Sequence, residues 1–254
     1  MPDVELKPQV YKDPRPAEYF ARHHARVRDH PPEWIYEVVR TLTVVLALTV
    51  FRARGLGSEN VPAGPVILAP NHASFMDHFF TGAFVRRHVQ FMAKSQMFGR
   101  TPLSWIYNHG GVFPVRRGHH DEDAFATAFA VLARGGVVGM YVEGGRSRTG
   151  AIGTEARAGI GRLALESGAP VVPVAILGSH QVRNWKRLRF PKVVVAYGTP
   201  FAVARMEHSE RSQQQAVADE ILRRITELHA GLAARHGARP TTPAGAGRGV
   251  PVRR

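Results

Sequence analysis

Residues 66–77 of this chain read VILAPNHASFMD, an apolar run followed by a polar stretch. The apolar run Val66–Ala69 follows a Gly-Pro pair and is typical of a short strand buried on both faces of a sheet. The polar stretch Asn71–Asp77 leads into a segment that we predict to be helical up to about His88. A strand that passes through a loop into a helix is the repeating unit of an α/β domain.

The alternation of strands and helices continues along the chain. Further strands are predicted at residues 89–93, 112–115, 137–142, 171–177 and 193–197, and further helices at residues 97–110, 121–134, 155–167 and 209–235. This order predicts an α/β domain over residues 56–236, with a central, mostly parallel or mixed sheet flanked by helices. Functional groups of such sheets usually lie on loops beyond the strand ends, so the loops that begin at Asn71, Arg116 and Glu143 are the candidate site.

An apolar helix is predicted ahead of this domain, at residues 33–52 within a segment spanning 32–55. It begins amphipathic and carries no charge from Thr41 to Phe51, and we expect it to end at Gly55. The helix is short for crossing a bilayer. It is either a core helix or a membrane-associating helix that lies in one leaflet with its flanking arginines at the headgroups.

The two ends of the chain have a different composition. Residues 1–31 are polar and contain several prolines, and they predict an N-terminal arm with one short helix near residues 17–28. Residues 237–254 are rich in Gly, Pro, Ala and Arg, which predicts a disordered basic tail.

Composition narrows the classes of partner and chemistry. The chain has 34 Lys and Arg against 20 Asp and Glu, a net charge of +14, which points to nucleic acid, anionic lipid or phosphorylated substrates. It has no Cys, which excludes disulfides, thiolate metal sites and a Cys nucleophile. Residues 159–164 match a dinucleotide fingerprint, but no predicted strand precedes them. We therefore predict neither a bound cofactor nor a metal.

Two residues of the first loop fit acid–base chemistry. His72 lies just outside the predicted helix, Ser74 is its predicted N-cap, and Asp77 occupies its third position. A carboxylate bound to one ring nitrogen of His72 would fix the tautomer and leave the other nitrogen to take a proton from a hydroxyl. The alternative is a capping box, in which Asp77 binds only the backbone at Ser74.

Two arginine-containing loops fit an anionic ligand. Arg116 and Arg117 leave an extended run in which successive side chains alternate in direction, so either one faces a pocket or both are solvated. After the strand that ends near Val142, Glu143–Gly145 precede Arg146, and the glycines allow a close approach to a phosphate that Arg146 could bind. The alternative is a flexible basic turn with a weak exposed ion pair.

The order of these motifs resembles the glycerolipid acyltransferase family, whose best-known members are 1-acylglycerol-3-phosphate O-acyltransferases, a kind of lysophospholipid acyltransferase. The resemblance covers about residues 60–200. It rests on Asn71-His72-x4-Asp77, a G-x-x-x-[VI]-x-R run ending at Arg117, Val142-Glu143-Gly144-x-Arg146-Ser147, and Val171–Ile176.

The resemblance implies roles for individual residues. It makes His72 the general base and Asp77 the residue that orients it. The elements that bind the acceptor's phosphate and glycerol would be Arg117, Glu143, Gly144 and Arg146, with Asn71, Ser74, Arg116 and Gly145 as second-line candidates. Gly145 stands where the family often has Thr, and Arg116 where Asp is common. Acceptor identity and the choice between the two arginines therefore stay open.

The resemblance also implies an activity and its partners. A fatty acyl group would pass from a thioester, acyl-CoA or acyl carrier protein, to the free hydroxyl of a lysophosphatidic-acid-type acceptor, with no further cofactor. The protein would be peripheral or monotopic at the anionic cytoplasmic face of the cell membrane, with no specific nucleic-acid partner. One alternative keeps the chemistry on another lysophospholipid, glycerol 3-phosphate or a glycolipid. The other is a non-catalytic basic nucleic-acid-binding protein, although no recognition motif is present.

Overall fold

The computed structural model describes residues 12–147, 150–182 and 190–236. One sheet contains the strands β1 (Arg54–Leu56), β2 (Val66–Pro70), β3 (Val89–Lys94), β4 (Phe113–Val115), β5 (Val137–Gly139), β6 (Val171–Leu177) and β7 (Val194–Tyr197). The α-helices of the described residues are α1 (Ala21–Asp29), α2 (Trp34–Thr49), α3 (Asp77–Ala83), α4 (Pro102–His109), α5 (Glu122–Ala133), α6 (Gly159–Ser167) and α7 (Arg211–Arg235). Short 3-10 turns occupy, among others, Ala17–Phe20, Ser58–Asn60 and Ser95–Met97.

The strands lie in the order β1-β7-β6-β2-β5-β3-β4. Neighbouring strands are parallel except β6 and β7, which are antiparallel. Because β1 is parallel to β7, these two strands run against the other five. The predicted mostly parallel or mixed sheet is confirmed, and the mixing is confined to one edge.

Helices cover both faces of the sheet, as predicted. In β2, Ile67 and Ala69 face a core formed with α5, α6 and α7, whereas Val66 and Leu68 face a second core formed with α2 and α3. All four side chains are completely buried. A strand covered on both faces needs apolar residues at every position, which explains the unbroken run in the sequence.

The N-terminal segment packs onto this body. The helix predicted near residues 17–28 is confirmed as a 3-10 turn followed by α1, and Phe20 and Val27 are buried. The ring of His24 on α1 lies 2.9 Å from the Thr127 hydroxyl on α5. Residues 1–11 and the predicted disordered tail at 237–254 lie outside the described residues.

The apolar helix α2 is exposed along one side. Ala47 packs into the core, whereas Trp34, Leu42 and Val45 are 65%, 66% and 56% exposed. A wholly buried core helix is therefore the wrong alternative. Among the described residues, no helix combines the length and the hydropathy that crossing a bilayer requires.

The predicted end of α2 at Gly55 is also wrong. The helix ends at Thr49, and Arg52 takes a left-handed conformation with φ of 43°. Gly55 lies in β1 instead, where a Cβ would stand 2.5 Å from the ring of Phe84. The glycine serves close packing between the sheet and the chain after α3.

Other helix boundaries also differ from the prediction, and α4 begins at Pro102 rather than at residue 97. Helix α3 runs only to Ala83, and Asp77 is its first residue rather than its third, so Met76 and not Ser74 is the N-cap. Helix α6 begins at Gly159 rather than at residue 155. The residues before it fold as a loop against the end of β5, where the Arg157 backbone N–H donates to the carbonyl of Val142.

Candidate active site

The candidate site lies where parallel strands end at one edge of the sheet. His72 follows β2, Lys94 closes β3, Arg117 follows β4, and Glu143 follows β5. The carboxyl ends of adjacent parallel strands meet at the same edge, which is how residues far apart in sequence converge. The three loops singled out in the sequence are among those that come together here.

His72 and Asp77 form a hydrogen-bonded pair. His72 Nδ1 lies 2.9 Å from Asp77 Oδ2, and the Asp77 side chain is completely buried. The same carboxylate oxygen accepts the backbone N–H groups of Ala73 and Ser74, each at 2.7 Å. The two alternatives in the sequence therefore coexist, because one carboxylate both orders the loop and holds the imidazole. A carboxylate at Nδ1 favours the proton on that nitrogen and leaves Nε2 as the acceptor.

The imidazole of His72 is held in a largely dry environment. Its side chain is 12% exposed, and the Tyr141 ring stacks on it at 3.8 Å between centroids with 18° between planes. Burial lowers the pKa of His72, Asp77 opposes this shift, and the charges of Arg146 and Arg117 reinforce it. The net shift favours the neutral ring, which is the form that can accept a proton.

Glu143 orders the backbone around the dyad. Its Oε1 accepts the His72 N–H at 2.9 Å and its Oε2 accepts the Gly153 N–H at 2.8 Å. The carbonyl of His72 also accepts the Ser147 N–H at 2.7 Å. Burial raises the pKa of Glu143, and the N–H groups of His72 and Gly153 counter the rise. In this geometry Glu143 orders the backbone at His72 and Gly153, and the acceptor contact that the resemblance implied stays a prediction.

Cationic side chains share one pocket with His72. Lys94, Arg117 and Arg146 line this pocket of about 240 Å³, together with Tyr141. Burial lowers the pKa of Lys94, and the charges of Arg117 and Arg146 add to that effect. Cations crowded in this way favour an anionic ligand that reduces their mutual repulsion. We call this the cationic pocket.

The structure places the remaining candidates around this pocket rather than in it. Asn71 is buried and exchanges hydrogen bonds with the backbone of Ile176 on β6, and the Ser74 hydroxyl accepts the Met76 N–H at 3.2 Å. Arg116 is not among the described residues that line the cationic pocket, whereas Arg117 is. Gly145 has open space around it, so a side chain would fit there.

Gly144 is a glycine for a steric reason. Its φ is 63°, and a Cβ would stand 2.8 Å from Cγ of Arg157. The left-handed backbone turns the chain between Glu143 and Arg146, so both can serve the site.

Sequence reasoning missed two residues of the site. Lys94 ends an apolar strand, which is the same signal that identified Arg117, but a single lysine on a basic chain does not stand out. Tyr141 lies inside a run that was predicted to be a strand up to residue 142, although β5 ends at Gly139. Only the three-dimensional structure shows its ring on His72.

Two apolar spaces adjoin the cationic pocket. The first, of about 250 Å³, lies between α2, α3 and α4 and shares His78, Phe91, Tyr107 and Val112 with the pocket. The second, of about 560 Å³, lies between the end of α2 and the His72 loop and shares Phe75 and Arg146 with the pocket. We call them the inner cavity and the outer groove. Apolar side chains make up most of the lining of both.

Known proteins resemble this chain in both sequence and fold. The sequence profile of the acyltransferase family matches residues 53–177, which hold every side chain of the cationic pocket. These residues form an acyltransferase-family domain. The wider fold is similar to that of the crystal structure of the 1-acyl-sn-glycerophosphate (LPA) acyltransferase PlsC from Thermotoga maritima, with a TM-score of 0.60 and 22% identity over 82% of this chain and 81% of that one.

Two sequence relatives are chloroplastic 1-acyl-sn-glycerol-3-phosphate acyltransferases, BAT2 from Brassica napus and LPAT1 from Arabidopsis thaliana. Each is 28% identical to this chain over 130 residues, which is half of this chain. The match covers 37% of the first relative and 36% of the second, so this chain spans little more than a third of their length. The likeness therefore concerns the acyltransferase domain.

Proposed function

We propose that this protein is an O-acyltransferase that moves a fatty acyl group from a thioester to the free hydroxyl of a 1-acylglycerol-3-phosphate-type acceptor. The observation that carries the proposal is the His72–Asp77 pair at the edge of a pocket lined by Lys94, Arg117 and Arg146. A base beside an anion-binding pocket suits a phosphorylated alcohol. The named activities of the relatives support the same chemistry.

In the proposed reaction, His72 Nε2 takes the proton of the acceptor hydroxyl as the oxygen attacks the thioester carbonyl. Asp77 stabilises the imidazolium that forms. When the tetrahedral intermediate collapses, the carbon–sulfur bond breaks and the imidazolium returns its proton to the leaving thiolate. General acid–base help of this kind contributes about 10²–10⁴ in rate.

The cationic pocket would hold the acceptor's phosphate. Arg117 and Arg146 offer planar donors for phosphate oxygens, and Lys94 offers a compact charge. Glu143 would act through the backbone of His72, since both of its oxygens are already bound by N–H groups.

The two apolar spaces would take the two fatty chains. We assign the donor chain to the inner cavity, because one of the residues at which this cavity joins the cationic pocket is His78, which directly follows Asp77 in α3. We assign the acceptor's own chain to the outer groove, because this groove meets the pocket at Arg146, where the headgroup would lie. Each chain would leave the reacting atoms on a different side of the His72 loop.

The exposed apolar face of α2 supports a peripheral or monotopic position on a membrane. Trp34, Leu42 and Val45 on α2 and Trp105 on α4 are all at least 47% exposed. Large exposed apolar surfaces mark interaction sites, and a net charge of +14 favours an anionic bilayer. We place this membrane surface on the cytoplasmic side, since a chain with no Cys fits a reducing compartment.

The deciding experiment is an acceptor panel with one labelled acyl-CoA and one labelled acyl carrier protein. The wild type should acylate lysophosphatidic acid, and His72→Ala should lose activity by about 10²-fold or more while remaining folded. The matched control is His30→Ala, which removes an exposed histidine and should keep wild-type activity. A folded His72→Ala protein with wild-type turnover would refute the mechanism.

A second candidate acceptor follows from Gly145. The open space around this residue leaves room beside Arg146 for a headgroup larger than a phosphate monoester. The panel therefore includes other lysophospholipids, glycerol 3-phosphate and a glycolipid. Preference for one of these over lysophosphatidic acid would keep the chemistry and change the substrate.

Binding to anionic vesicles and to duplex DNA at equal salt separates the proposal from a nucleic-acid-binding role. That role predicts tighter binding to DNA than to the vesicles.

A further inference from the structure

A short N-terminal segment outside the acyltransferase domain contacts the cationic pocket's wall. The family match begins at residue 53, whereas this segment, residues 12–20, precedes it by more than thirty positions. We call it the N-terminal brace. It meets the turn that follows β3 and the turn that follows β4, and these turns adjoin Lys94 and Arg117.

The brace is anchored by an ion pair whose carboxylate is buried. Asp13 is 2% exposed, and its two oxygens accept from Arg15 Nε at 2.9 Å and Arg15 Nη2 at 2.6 Å. The Ser95 hydroxyl also donates to Asp13, at 2.7 Å. A buried carboxylate with both oxygens bound keeps its geometry, because separating Asp13 from Arg15 would leave an uncompensated buried charge.

Arg15 links this ion pair to the turn that follows Lys94. Its Nη2 donates to the carbonyl of Ser95 at 2.8 Å, and its Nη1 donates to the carbonyl of Phe98. These two carbonyls bracket the 3-10 turn Ser95–Met97, which begins directly after Lys94. One guanidinium therefore fixes both ends of a turn that lines the cationic pocket through Met97.

Phe20 adds an apolar contact between the N-terminal brace and the residues behind the wall of the cationic pocket. It is completely buried and packs with Phe98 and Tyr107. The same apolar cluster takes in Ala93, Met97 and Val112, which line the cationic pocket together with Tyr107. On the β4 side, Gly118 follows Arg117, and a Cβ at Gly118 would stand 3.3 Å from Lys12 Cγ.

We propose that Asp13 and Arg15 are positioning residues for the phosphorylated acceptor. They fix the turn after β3, so that Lys94 and Met97 keep the placement in which the pocket binds phosphate. The inference rests on the proposed function, since it concerns the same pocket. Neither residue contacts His72 or Asp77 among the described contacts, so their loss weakens acceptor binding and leaves the chemical step and the thioester site unchanged.

The test compares Arg15→Ala, Arg15→Lys and Ser95→Ala with the matched control Arg22→Ala, an exposed arginine on the neighbouring helix. Arg15→Ala should raise the acceptor KM about tenfold, the scale of losing charge-assisted hydrogen bonds, with kcat and the thioester KM unchanged. Ser95→Ala should raise it less, because it removes one bond to Asp13. Arg15→Lys should recover part of the loss, and Arg22→Ala should match the wild type.

Calorimetric titration with lysophosphatidic acid in detergent micelles supplies a readout that does not need turnover. The Kd for this lipid should rise in parallel with KM, while an uncharged monoacylglycerol shows no change. If the wild-type protein binds the lipid but does not acylate it, the proposed function is wrong. The role of the N-terminal brace is then still decided by the Kd values of the variants. Unchanged Kd and KM for the acceptor in a folded Arg15→Ala protein would overturn the positioning role. An equal rise in KM for the acceptor and for the thioester would also overturn it. Should Arg15→Ala not fold, Ser95→Ala decides by the same criteria.

Discussion

The ring of Tyr141 lies 3.8 Å from the ring of His72 and within 18° of parallel to it. The stacking fixes the plane of the imidazole, while Asp77 fixes its Nδ1 edge. Both constraints hold the imidazole in one orientation where it lines the cationic pocket. The Tyr141 hydroxyl is buried and finds no hydrogen-bond partner among the described residues.

The two parts of Tyr141 should therefore behave differently on substitution. Tyr141→Phe removes an unsatisfied buried hydroxyl and should keep activity, with a free energy of unfolding raised by about 1 kcal/mol. Tyr141→Ala removes the stacked ring and should lower kcat about tenfold, equivalent to about 1.4 kcal/mol of barrier. Steady-state kinetics and urea unfolding of both variants check this. Equal activity of the two would show that the ring does not orient His72.

Glu143→Gln tests the positioning role of this carboxylate. An amide accepts from one backbone N–H and presents its own N–H₂ to the other, so either His72 or Gly153 loses its partner. We expect a loss of about 1–3 kcal/mol in the free energy of unfolding together with a lower kcat. The matched control, Glu155→Gln, changes an exposed glutamate on the loop before α6. A stable Glu143→Gln protein with only a raised acceptor KM would favour direct substrate contact instead.

The rate should depend on pH through His72. The base must be neutral, and burial sets its pKa below the usual 6.5. The value of kcat/KM should therefore be flat near pH 7 and fall as pH drops through an inflection below 6.5. Because Asp77 raises the pKa of His72 against that trend, Asp77→Asn should move the inflection to lower pH and reduce the plateau. An inflection above 6.5 in the wild type would contradict this environment for the ring.

Stability should depend on pH through His24. Burial lowers its pKa to about 4 in the folded protein, from 6.5. Between these values the unfolded chain binds the proton and the folded chain does not, so stability falls as pH falls from about 6.5 to 4. This group contributes up to about 3 kcal/mol to that loss. Thermal unfolding of wild type and His24→Gln across this range should show a shallower slope for the variant. Parallel slopes would assign the loss to other histidines.

Gly82→Leu tests which fatty chain occupies the inner cavity. Gly82 lines this cavity, and a Cβ there would stand 3.3 Å from the Tyr36 hydroxyl, so a larger side chain narrows it. The variant should shift the donor preference toward shorter acyl thioesters and leave the acceptor's chain-length preference unchanged. Val50→Trp in the outer groove should do the reverse. Competition assays with mixed chain lengths measure both. A shift in the acceptor preference of Gly82→Leu would exchange the two assignments.

Much of the fold was predictable because its signals are local. Unbroken apolar runs predicted β2 and β6, and glycine after the periodic residues predicted the end of α6 at Gly168, which is left-handed with φ of 68°. The helix boundaries that were wrong depend on side-chain contacts that hydrophobic periodicity does not show. Helix α3 starts late because the Asp77 carboxylate takes the N–H groups of Ala73 and Ser74, and Gly55 belongs to a strand because Phe84 packs against it.

The site was predictable to the same degree. His72, Asp77, Arg117 and Arg146 stand at strand ends, where the sequence pattern identifies them. The role of Glu143 was not predictable, since only the folded loop shows both oxygens bound to backbone N–H groups. Asp13 and Arg15 lie about sixty residues before His72, in a segment without any motif. Their contact with the turn after β3 depends on tertiary packing alone.

The reversed pair β7 and β1 determines where the apolar helix sits. Because β1 runs against β2, its first residue, Arg54, lies at the edge of the sheet where β2 delivers His72. Only four residues separate Arg54 from the end of α2 at Thr49. The direction of β1 therefore sets the distance between α2 and the imidazole of His72, because the connection is too short to act as a flexible linker. If the outer face of α2 rests among lipid headgroups, this connection gives the reaction a fixed depth relative to the bilayer.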